Sequence, residues 1–229
     1  MVDDDDFWAV PDELLKPRAE MVSGGLAGAI AKSMAKWVRK PADLYPTPPD
    51  CVYSLFPHIE DILPVGSTIL EPACADGQLS RALQACGYET LDFDLRPDCG
   101  YGTGGVDFLE CDAEETYGDE FDAIVTNPPF SAALEFIKRG LELSPVVILL
   151  LKSNYYNTKN RLKPWADHTP EWEFKLSWRP AFLEKERGKS PLMDCNWYVF
   201  TRDWDEDHSK FRPIERLLDP PNDDYYGGL

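Results

Sequence analysis

STILEPACADGQLSRALQAC, residues 67–86, holds a strand, a turn and a helix in one short stretch. STILE (67–71) is apolar and rich in β-branched residues, which reads as a strand. GQLSRALQAC (77–86) places Leu79, Ala82 and Leu83 on one helical face. Between them, EPACADG turns tightly. Gly77 permits close backbone approach there, and the N-terminus of the following helix can face a polar ligand.

Outward from this unit, the alternation continues. Upstream, TPPDCVYSLFPHIEDIL (47–63) predicts a helix with Thr47 as N-cap, prolines in the first turn and Asp50 three residues on. Val52, Leu55, Phe56, Ile59, Ile62 and Leu63 fall at helical spacing, and Pro57 predicts a kink or break. Downstream, YETLDFD (88–94) and FDAIVTN (121–127) read as strands, and SAALEFIKRGL (131–141) as a helix. PVVILLL (145–151) is a continuous apolar strand of the kind buried on both faces of a parallel sheet. EWEFKLSW (171–178) alternates, with Trp172, Phe174, Leu176 and Trp178 on one side, and CNWYVF (195–200) closes the sheet. The expected fold is α/β, a doubly wound, mostly parallel sheet with an antiparallel last strand.

Composition narrows the function. No apolar run of this 229-residue chain approaches the roughly 20 residues that span a bilayer, and the acidic start MVDDDDFWAV is no signal peptide. Six cysteines without a CxxC pair and three scattered histidines give no metal spacing, so reduced thiols, a cytoplasmic location and no metal are expected. Residues 1–44 look like an appendage with a short basic helix (Lys32, Lys36, Arg39, Lys40), 45–200 like the domain proper, and 201–229 like a loosely ordered acidic tail.

In doubly wound sheets, ligands bind beyond the carboxyl ends of the strands. Four pieces meet there: the EPACADG turn; Asp94, placed to accept from ribose hydroxyls; Asp107, which could accept from an adenine amine beside Phe108; and Asn127-Pro128-Pro129-Phe130. The last is a stiff platform. Its prolines lack N–H groups, so it presents an amide, bare carbonyls and a ring. Plainer roles exist for each: Asp107 can cap a turn, and Phe130 can pack under the next helix. Tyr155 and Tyr156 suit either an exposed stacking surface or the core.

With PTPP, ILEPACADGQLSRAL, YETLDFDLRP and DAIVTNPPF in this order, the chain resembles the S-adenosylmethionine-dependent amino-methyltransferases, especially the gamma-class DNA adenine-N6 group, over about residues 45–152. LLKSNYYNTKNR, WRPAF and NWYVF are similar to small phage and bacterial methyltransferases of the same layout. The resemblance implies a Rossmann-like class I methyltransferase sheet and S-adenosylmethionine as cofactor. It assigns Tyr45, Thr47, Glu71, Pro72, Ala73, Asp76, Gly77, Asp94, Asp107 and Phe108 to the cofactor, and Asn127, Pro128, Pro129 and Phe130 to catalysis. Two departures from the family are a single glycine, Gly77, where relatives often have more, and the lack of a following target-recognition domain of about a hundred residues.

Charge bears on the substrate. Net charge is −18, which argues against a generic nucleic-acid binder. It is uneven: 45–151 holds 19 acids against 4 bases, whereas 152–189 holds 9 bases against 5 acids. Lys152, Lys159, Arg161, Lys163 and Arg179, with Lys175, Lys185, Arg187 and Lys189, form the one basic stretch of any length. Together these features favour adenine-N6 methylation of DNA. The alternatives are an RNA base or a protein glutamine as substrate, or a catalytically silent partner subunit. A homodimer or helper subunit is compatible with the short chain.

Overall fold

The computed structural model describes residues 45–118, 121–157, 159–182, 191 and 193–221. The appendage 1–44 and Lys185, Arg187 and Lys189 lie outside the described residues. Eight strands form one sheet: β1 (Thr68–Glu71), β2 (Glu89–Asp94), β3 (Thr103–Gly104), β4 (Ala123–Thr126), β5 (Val146–Lys152), β6 (Trp172–Leu176), β7 (Cys195–Thr201) and β8 (Lys210–Ile214). The helices among the described residues are α1 (Pro49–Leu55), α2 (Gln78–Ala85), α3 (Ala113–Tyr117), α4 (Ala133–Leu143) and α5 (Leu162–Asp167).

The strand order is β3-β2-β1-β4-β5-β7-β6-β8. Every pairing is parallel except those of β7, which runs antiparallel to both β5 and β6. The reversal of strand order falls between β1 and β4, so the crevice opens beyond Glu71 and Thr126.

Alternation along the strands explains the two layers. Ile69, Val125, Ile148 and Leu150 face Val52 and Leu55 of α1 and Leu79 and Leu83 of α2 in one core. Leu70, Ile124, Val147 and Leu149 face Ala133, Phe136 and Ile137 of α4 in the other. The expected one-sided face of β6 is present: Phe174 and Leu176 are buried in the first core, and Trp172 and Trp178 pack against it. Trp197 on β7 is fully buried there, and its indole N–H donates to the Cys51 carbonyl of α1 at 2.9 Å. Cutting such a ring to alanine costs roughly 3–5 kcal/mol.

Three details differ from the sequence reading, and one agrees with it. Thr47 is not the N-cap of α1. The cap position is Pro48, with no side-chain cap, because the Thr47 hydroxyl is engaged elsewhere. The expected break at Pro57 occurs, as a 3₁₀ turn over Phe56–His58. The tail is not loose throughout: β8 adds to the sheet beside β6, in parallel. Finally, β3 and α3 are additional short elements between β2 and β4.

Candidate active site at the strand carboxyl ends

The turn after β1 is held by the acid after β2. Ala75 takes a left-handed φ of 55°, unusual for a residue with a Cβ. Its N–H donates to Asp94 Oδ2 at 2.8 Å. Asp94 Oδ1 accepts from the Arg96 backbone N at 2.8 Å and from Arg96 Nε at 3.1 Å. Three protein donors therefore converge on a carboxylate only 6% exposed. Gly77 is also constrained, with φ at 75° and a hypothetical Cβ 2.3 Å from Tyr101 Cγ. The close approach that Gly77 permits is that of the Tyr101 ring. Asp76 accepts from both the backbone N and Nε2 of Gln78, closing the first turn of α2.

Glu71, the last residue of β1, is buried. Its Oε1 accepts from Thr126 Oγ1 at 2.6 Å, and its Oε2 has no hydrogen-bond partner of regular geometry. Burial pushes its carboxyl well above the ordinary range. The Thr126 hydroxyl and the Ala73 N–H oppose this, while the Asp92 and Asp94 charges reinforce it. Asp92 Oδ1 and Arg96 Nη2 are likewise buried without partners. Asp107 folds back on its own turn, accepting from Leu109 N at 3.0 Å. Phe108 is 2% exposed, with its ring 4.8 Å from that of Phe136, so it forms part of the floor beneath the crevice.

The platform after β4 is arranged otherwise. Asn127 Nδ2 donates to the Tyr45 carbonyl and to Thr47 Oγ1, both at 3.1 Å. A carbonyl can only accept, so the amide orientation is fixed and Oδ1 must point the other way. Neither Oδ1 of Asn127 nor the Pro128 carbonyl has a hydrogen-bond partner among the described residues. The Pro129 carbonyl accepts from Ala132 N at 2.9 Å, leading the chain into α4. Phe130 is half-buried against the second core, and Lys152 Nζ lies over its ring, 4.7 Å from the centroid. Sequence reasoning did not find the Thr47–Asn127 contact, since it spans 80 residues.

The basic stretch is less open than its composition suggests. Arg161 donates to the Tyr155 carbonyl and lies 4.1 Å over the Tyr155 ring. Lys163 pairs with Asp167 at 2.6 Å, and Arg179 with Asp194 at 2.9 Å. Lys152 and Lys159 have no carboxylate partner among the described residues. Tyr155 and Tyr156 belong to the core side: Tyr155 is buried, and Tyr156 meets Tyr155, Trp165 and Tyr198 in edge contacts of 4.4–5.6 Å. No described helix is long and apolar enough to cross a membrane.

No family model and no curated protein matches the sequence. Solved structures do resemble the fold. One is a class I S-adenosylmethionine-dependent methyltransferase of Listeria monocytogenes, with a TM-score of 0.51 and 15% identity over 85% of this chain and 73% of that one. The type I restriction enzyme EcoKI M protein gives 0.52 and 12% over 87% of this chain. A type I restriction-modification methyltransferase subunit of Streptococcus thermophilus gives 0.50 and 12% over 88%. The match spans 55% and 56% of the lengths of the latter two. Identity this low speaks to architecture alone. This chain has the Rossmann-like fold of the class I methyltransferases.

Proposed function

We propose that the protein transfers a methyl group from S-adenosylmethionine to the exocyclic N6 amine of adenine in DNA. One observation carries this reading: Asn127 Oδ1 and the Pro128 carbonyl stand side by side in sequence as acceptors with no partner among the described residues, with the amide locked by Tyr45 and Thr47. An aromatic amine is a poor nucleophile because its lone pair is delocalised into the ring. Two acceptors that take its two N–H bonds draw the nitrogen towards sp³ and localise that pair. Acceptors held in advance, rather than recruited during reaction, can be worth ~10²–10³ in rate. Phe130 offers a face for the base, which must first leave the duplex stack at a cost of a few kcal/mol. Stacking returns roughly 1–3 kcal/mol. The proton lost from nitrogen needs no titrating base and passes to water.

The crevice suits the cofactor. Glu71 Oε2 is a buried carboxyl oxygen without a regular partner, which a polar group of a ligand at the end of β1 would complete. Asp94 Oδ2 has one protein donor and keeps a lone pair for a ribose hydroxyl. Glu71, Pro72, Ala73, Asp94 and Asp107 would hold the group, with Tyr45 and Thr47 at its edge. When bound, S-adenosylmethionine supplies a methyl group on a sulfonium leaving group. Two of the structures with the same architecture come from restriction-modification systems, which adds support for DNA.

Incubation with isotope-labelled cofactor and DNA, followed by nucleoside mass spectrometry, tests the proposal. Labelled N6-methyldeoxyadenosine is expected. A protein glutamine offers a similar planar amide NH₂ and would tolerate the acidic body of the chain. Label in glutamine instead of DNA would favour that second substrate.

A further inference from the structure

Lys152 ends β5, and the backbone beyond it is pinned. Ser153 N donates to the Asp194 carbonyl at 3.0 Å, and Ser153 Oγ to Asn196 Oδ1 at 2.7 Å. The Lys152 ammonium rests over the Phe130 ring at 4.7 Å, with no carboxylate in ion-pair reach among the described residues. Arg161, Lys163 and Arg179, by contrast, are already engaged by protein groups. A cation on an aromatic face is weakly held. A phosphate oxygen binds it more strongly, through a charge-assisted hydrogen bond.

Phe130 is also the ring on which a target base would stack, and one face cannot hold both. Resting on the proposed DNA reading, we propose that Lys152 is a specificity residue gated by the substrate. In the free protein its ammonium covers the Phe130 face. A flipped nucleotide takes that face and brings its own phosphate, to which the ammonium transfers. A glutamine side chain carries the amide but no anion, so it displaces the cation without offering it a new partner. Lys152 thus selects polyanionic substrates at the reacting group itself, on a chain whose overall charge repels them. No covalent bond forms or breaks in the exchange.

The test compares wild type, Lys152→Met and Lys152→Arg on duplex DNA and on a glutamine peptide. Lys152→Met should bind the cofactor as wild type does and lose about tenfold or more in kcat/KM on DNA. Its log–log salt slope should be shallower by about 0.9, the value for one phosphate contact. Lys152→Arg should keep most of the activity. A methylphosphonate flanking the methylated adenine should slow wild type and leave Lys152→Met indifferent. If Lys152→Met equals wild type on DNA, or if the neutral linkage slows both alike, the gating idea fails while the DNA reading stands. Label from wild type in the peptide and none in DNA overturns both.

Discussion

The loop after β2 and the loop after β4 open on the same edge of the sheet and are built in opposite ways. After β2, Asp94 is engaged by three protein donors, one of which holds Ala75 in a left-handed turn. After β4, Asn127 turns its N–H groups inward to Tyr45 and Thr47, leaving its oxygen and the next carbonyl without a partner among the described residues. Acceptors that the protein leaves open at the carboxyl ends of the strands are available to a ligand. One loop uses its acid to shape itself and the turn beside it. The other uses its amide to present acceptors outward.

The largest effect that could break this contrast is on turnover. Asn127→Ala should lower kcat by ~10²–10³ and leave cofactor binding intact, because the lost oxygen acts on the target amine. Thr47→Val, which removes one of the two acceptors orienting the amide, should cost about tenfold in kcat with KM held, by weakening one hydrogen bond of ordinary strength. Thr47→Ser should restore the rate. If these variants lose cofactor binding instead, calorimetric titration will reveal it, and the β4 loop would be as self-supporting as the β2 loop.

An intermediate effect sharpens the β2 side. Asp94→Ala should weaken the cofactor by about 1.5–3 kcal/mol, the worth of a hydrogen bond to a charged acceptor. It should also lower the melting temperature of the free protein, since Ala75 and Arg96 lose their anchor. A Tm loss with unchanged cofactor affinity would make Asp94 structural alone.

The smallest effect is in pH dependence. Glu71 has its folded pKa raised by burial from 4.5, so the neutral form is favoured in the folded state. Its contribution to stability is then fully present below about 4.5 and is lost as pH rises through the folded value. Glu71→Gln removes that dependence. Its melting temperature relative to wild type should therefore climb from pH 4 upward, as followed by thermal melts in a buffer series. A constant difference across the series would mean that Glu71 is ionised in the free fold.

Much of this was legible from local pattern. The apolar run 145–151, the alternation of 171–178 and the strand–turn–helix of 67–86 each carry a period that one strand or helix suffices to satisfy. Asn127-Pro128-Pro129-Phe130 was legible because proline chemistry is local too. What escaped the sequence depends on distant partners. Thr47 has the side chain and spacing of an N-cap, and only the amide 80 residues away reassigns it. Arg161, Lys163 and Arg179 counted as free charges until Tyr155, Asp167 and Asp194 were found against them. Gly77 suggested a ligand's approach, and Tyr101 occupies that space. β8 was missed because four of its five residues are exposed, which leaves no apolar period to see.

β8 carries a consequence for anyone who trims this chain. With Pro213 in its ladder and Lys210 and Arg212 along it, the outermost strand is poorly suited to recruit another. Behind it lies Trp172-Glu173-Phe174-Lys175-Leu176, an alternating, aromatic-rich strand of a very different temperament. A chain cut at residue 200, where composition alone suggests the domain stops, would strip away the guard and turn β6 into a bare edge. The sticky product would be an artefact of the cut, because in the intact chain β8 covers that edge.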